Sequence, residues 1–87
     1  MTFLEFLPFE NYHIRFKLED GTELSGVLVG SINALEERIN QTSYDFIPTR
    51  NMIDWKQAEQ KNDKEQMKSL QGKIDITNIV WVERLKY

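Results

Sequence analysis

The sequence predicts a small, mainly β domain: a strongly bent barrel of about five strands, carrying a helical insertion near residues 50–71. Three observations lead there. Residues 12–18 alternate apolar and charged side chains, the pair Asp20-Gly21 follows at once, and two further runs, around Val27 to Val29 and from Ile79 to Val82, are apolar on both sides of an extended chain. A chain of 87 residues holds one such domain, spanning 1–87, because folding at this size buries only about 60–65% of the unfolded surface.

In the first strand Ile14, Phe16 and Leu18 share one face while Arg15 and Lys17 take the other, the pattern of a half-buried strand. Asp20-Gly21 supplies the positive φ angles of a tight turn, so the chain doubles back. In the second strand Leu24, Gly26, Leu28, Gly30 and Ile32 line the core side, and Val27 and Val29 lie opposite. A strand apolar on both sides needs cover on both, from the core on one and from a helix or a neighbouring subunit on the other. Gly26 in mid-strand marks the sharp bend of a small barrel.

Residues 33–43 form a polar excursion with a helical turn around Leu35 to Ile39, and "YDFIPT" is a third strand ended by Pro48, which has no N–H for a ladder. Met52, Trp55 and Ala58 then fall at helical spacing, with Thr49 or Asn51 as N-cap; Asn62 and Glu65 have capping-box separation. One interrupted helix or two short ones therefore fill 50–71, and the charge-balanced "EQKNDKEQMK" is a solvated face. "GKIDITNIVWVERL" closes the chain as two short strands around a bend near Thr77 and Asn78. Strict alternation points Ile79 and Trp81 one way and Val80 and Val82 the other, so one pair leaves the interior.

The inventory excludes several chemistries. Without cysteine there is no disulfide, thiolate nucleophile or Cys-bound metal, and a single histidine, His13, makes no His cluster. Gly21 and Gly26 have the spacing of a phosphate loop, but Val27 and Leu28 stand where Lys and Ser or Thr are required. The expectation is a non-enzymatic protein with no metal or cofactor. A net charge of −3, from 11 basic and 14 acidic side chains, argues against a generic grip on nucleic acid. "MTFLEFLPFE" carries Glu5 and Glu10 and is broken by Pro8, unlike a leader or a membrane span, so a cytoplasmic location is expected.

The stretch "FLEFLPFENYHIRFKLEDGTELSGVLVG" resembles the N-terminal part of the Sm-like family of small SH3-like barrels: a short helix or turn, a strand, a "DG" turn, then a strand with an inner glycine. The likeness covers residues 3 to 30, with a weaker echo at 73 to 85. It implies an Sm-like barrel and ring assembly. The family's RNA-binding members place an Asp and an Asn before the third strand and an Arg-Gly or equivalent pair before the fifth. Here the first loop offers Asn33 without an aspartate partner, and Thr77 and Asn78 occupy the second position.

Two functional expectations follow. The first is a non-catalytic module that self-associates or binds a protein partner through Val27, Val29, Trp55, Val80, Trp81 and Val82, since interfaces favour aromatic anchors and unpaired strand edges invite pairing. The alternative is an RNA-binding ring in which Arg15, Lys17, Arg50, Lys73 and Arg84 converge and Tyr44 or Phe46 offers a stacking face. No membrane partner is expected in either case.

Overall fold

The computed structural model describes residues 1–30 and 35–86; Ile32 and Asn33 lie outside the described residues, as do the side chains of Leu35 and Glu36. Five antiparallel strands, β1 (His13–Leu18), β2 (Glu23–Val29), β3 (Ser43–Pro48), β4 (Gly72–Asp75) and β5 (Ile79–Arg84), form one sheet in the order β4-β3-β2-β1-β5. The helices are α1 (Phe3–Phe6), α2 (Leu35–Arg38), α3 (Met52–Gln60) and α4 (Lys64–Leu70). Five strands and the helical insertion match expectation, but the barrel does not close. β4 and β5 are the two edges of an open sheet and do not pair with each other.

The N-terminal segment packs onto the core. Thr2 caps α1, its hydroxyl accepting from the Glu5 amide while the Glu5 carboxylate accepts from the Thr2 amide. That turn buries Phe3 and Phe6 against the inner face of the sheet, where Phe6 meets Tyr44 edge-on at 5.1 Å. The terminal ammonium donates to the carbonyls of Ile76 and Ile79 at 2.8 and 3.4 Å, at the corner between β4 and β5. Phe3 and Phe6 of α1 therefore belong to the core that the sheet encloses. Ile14, Phe16, Leu28, Phe46, Ile76 and Ile79 complete that core.

The β1–β2 hairpin forms as its residues dictate. Gly21 takes φ +90°, and the Thr22 amide donates to Asp20 Oδ1 at 2.9 Å, which holds the Asp20 carboxyl below its usual range. Gly26 pairs with Ile14 on one side and Pro48 on the other. A Cβ there would lie 2.2 Å from the Ile47 carbonyl oxygen and 2.7 Å from the Phe46 ring, so the close passage of β3 requires glycine.

A buried polar set sits where the N-terminal segment meets β3. Arg38 Nη2 donates to Glu10 Oε2, as does the Tyr44 hydroxyl at 3.0 Å, and Arg38 Nε donates to Gln41 at 3.0 Å. Both charged side chains are about nine-tenths buried, and the Arg38 guanidinium lies 5.2 Å over the Phe3 ring. Burial and the Glu10 carboxylate push the Tyr44 hydroxyl up to about 12. This set ties the segment after α2 to the core.

The insertion differs from expectation in its caps. α3 closes at Gln60 with Lys61 as its C-cap, Asn62 beyond it takes φ +59°, and Asp63 rather than Asn62 caps α4 by accepting from the Gln66 amide. Asn51 makes no side-chain cap; its amide donates to the Leu70 carbonyl at 2.9 Å and ties the start of α3 to the end of α4. No helix of the described residues is long and apolar enough to cross a membrane.

Candidate functional site

The sheet has an outer face opposite the core, presented by His13, Arg15 and Lys17 of β1, Ser25, Val27 and Val29 of β2, and Asp45 and Ile47 of β3. The helical pair α3–α4 lies over the β2–β3 half and leaves Val27 and Val29 half-buried. Trp55 and Val29 border both of the grooves that remain. One groove, of about 330 Å³, continues past Val27, Ile47 and Met52; the other, of about 340 Å³, is bordered by Met67, Lys64, Lys68 and Gln71. Trp55 is fixed by its indole N–H, which donates to Gln71 Oε1 at 3.1 Å.

The β1–β5 half of the outer face lacks that helical cover. Ladder partners run Phe16↔Val82 and Lys17↔Trp81, then jump to Leu18↔Ile79, leaving Val80 as the extra residue of a bulge. The bulge corrects the strict alternation expected of this strand: Ile79 and Val82 both turn toward the core, while Val80 and Trp81 are 59% and 38% exposed. Val82 is thus packed against the core rather than offered to a partner. Arg15 bridges this half, its guanidinium 5.2 Å over the Trp81 ring and 2.9 Å from Glu83 Oε1.

The residues expected to serve RNA do not converge. Tyr44 is 1% exposed and buried against Phe6, and Phe46 is part of the core, so neither ring offers a stacking face. Arg15 is engaged by Glu83, and Arg84 lies 4.2 Å over the Tyr12 ring. Arg50 borders a shallow depression with Glu23 and Ser25 at one end of β2, whereas Lys73 is on β4 at the sheet edge. Lys73 Nζ is 2.6 Å from Asp45 Oδ1, an ion pair off the hydrogen-bonding direction, since that oxygen is buried without a hydrogen bond. Only Arg15 and Lys17 share a strand face.

Reading by sequence missed the basic rim of the second groove. Lys64 and Lys68 stand four apart on α4 and both border it with Met67. Two lysines at that spacing around a methionine were the available signal. His13 lies on the outer face, with Nε2 2.9 Å from Thr49 Oγ1, which donates to Ser25 at 2.9 Å. Among the described residues no group of three or more His, Cys, Asp or Glu is placed to hold a metal ion.

The fold and these surfaces define a small open-sheet β domain with two unpaired edges and a helix-flanked outer face. Comparisons with protein-family models, curated proteins and solved structures find no match for this chain.

Proposed function

We propose that this protein is a non-catalytic interaction module that self-associates through the edges of its sheet. The observation that carries this reading is β5: a free edge strand with a bulge that leaves Val80 and Trp81 exposed beside unpaired backbone groups. Natural edge strands are ordinarily blunted by charge, proline, bulges or cover; the β5 bulge is one such device, yet it leaves an aromatic side chain of the kind that anchors interfaces exposed beside the edge. The second free edge, β4, is the other terminal strand in the sheet order, and the turn Ile76–Asn78 joins it to β5. Two different free edges support head-to-tail association, which closes into a ring when the rotation permits.

The Sm-like resemblance of residues 3 to 30 supports the same reading, because it implies ring assembly. RNA binding is the weaker reading, given buried Tyr44 and dispersed cations. Size-exclusion chromatography with light scattering tests the proposal: it expects a multiple of 10.4 kDa at tens of micromolar, and a strict monomer there counts against it. Titration with labelled oligo-U and oligo-A over a salt series tests the other reading, which requires salt-dependent binding.

A further inference from the structure

We infer that the groove between α4 and the sheet receives Trp81 of a second copy of this chain, so that the helical insertion is one half of a head-to-tail joint. This rests on the proposed self-association and names its contact.

The register of a continued sheet leads to this pairing. When β5 of one copy adds antiparallel to β4 of the next, side chains at paired positions point to the same face. On β5 the outer-face residues are Trp81 and Glu83, opposite Lys17 and Arg15; on β4 the outer-face residue nearest α4 is Lys73, opposite Asp45. A pairing that sets Trp81 beside the next copy's Lys73 sets Glu83 beside Gln71. Both side chains then arrive at the mouth of the groove that runs from Val29, Trp55 and Met67 past Lys68 and Gln71 to Gly72 and Lys73.

The chemistry of the two sides matches. The groove has an apolar floor of Val29, Trp55 and Met67, suited to an indole, and a rim of Lys64, Lys68 and Lys73 with one acid, Asp45, already beside Lys73. The incoming strand carries an exposed indole and a carboxylate two residues on, both steadied by Arg15. An arriving carboxylate adds negative charge to a rim of three lysines and one aspartate. Lys64 and Lys68 are exposed in the isolated chain.

Complementation between two damaged copies tests the joint. Trp81→Ala removes the indole and leaves the groove intact; Lys64→Glu with Lys68→Glu reverses the rim and leaves Trp81 intact. All three positions are exposed, and circular dichroism with thermal unfolding of each variant confirms folding. Each variant alone is expected to associate at least about tenfold more weakly than the unmodified chain. An equimolar mixture is expected to form a one-to-one dimer and nothing larger, because only one undamaged joint exists between them. An unmodified chain that stays monomeric overturns self-association itself. Unmodified assembly that survives both variants overturns the groove alone. Weakening by both variants without rescue on mixing overturns the head-to-tail seat.

Discussion

The inner and outer faces of this sheet are built on opposite principles. The inner face is sealed: Phe6, Ile14, Phe16, Leu28 and Ile76 are fully buried, and the one charged pair there, Glu10 with Arg38, is satisfied by Tyr44 and Gln41. The outer face is half covered by α3–α4, with a groove on either side of Trp55, and on its β1–β5 half Arg15 pairs with Glu83 and lies over Trp81. Stability therefore resides on one side and accessible chemistry on the other. Substitutions should divide accordingly, with large folding penalties inside and small ones outside.

The largest expected effect comes from breaking the buried pair. Arg38→Met leaves the Glu10 carboxylate buried beside Gly30 without its counter-charge and should cost about 3–5 kcal/mol in denaturant unfolding. Pairing it with Glu10→Gln should recover part of that loss, because a neutral amide can still accept from Tyr44. Gly26→Ala should cost about 3 kcal/mol, since the new methyl meets the Ile47 carbonyl rather than a side chain that can turn aside. A cost below about 1 kcal/mol would mean that β3 does not pass as closely as described.

A smaller effect should appear in alkali. The Tyr44 hydroxyl is raised from 10 to about 12, so the folded chain holds that proton more tightly than the unfolded chain does. The associated stability is fully present below about pH 10 and is lost as pH rises toward 12. Tyrosinate absorbance followed together with circular dichroism should show the last tyrosine ionising as structure is lost, and Tyr44→Phe should remove the coincidence. Smallest of all, Lys73→Ala on the outer face should change monomer stability by about 1 kcal/mol or less, since the lysine is exposed although the Asp45 oxygen it faces is buried. It should nonetheless weaken assembly.

The same contrast explains what was legible in the sequence. Period-two alternation through Ile14, Phe16 and Leu18 reads the inner face directly, and Asp20-Gly21 with Gly26 reads the turn and the bend, because each of these is fixed by the backbone within a few residues. Val27 and Val29 announce that something must cover them, and α3–α4 does so in part. The open sheet was not legible, since whether β4 and β5 pair is decided between strands and not within a few residues of either one. The β5 bulge was hidden too: it reassigns Val80 and Val82 through pairing with Leu18, a contact far away in sequence. Lys64 and Lys68 read as ordinary solvated charges until the fold brought α4 to the mouth of a groove.

The central claim is that the two free edges are the working surface, and amide hydrogen exchange measured across a concentration series tests it most directly. The outward-facing amides of β4 and β5 should gain protection together as concentration rises, while β2, at the centre of the sheet, stays unchanged. Edge amides that exchange at the same rate at every concentration, in a chain that scatters light as 10.4 kDa throughout, would contradict it.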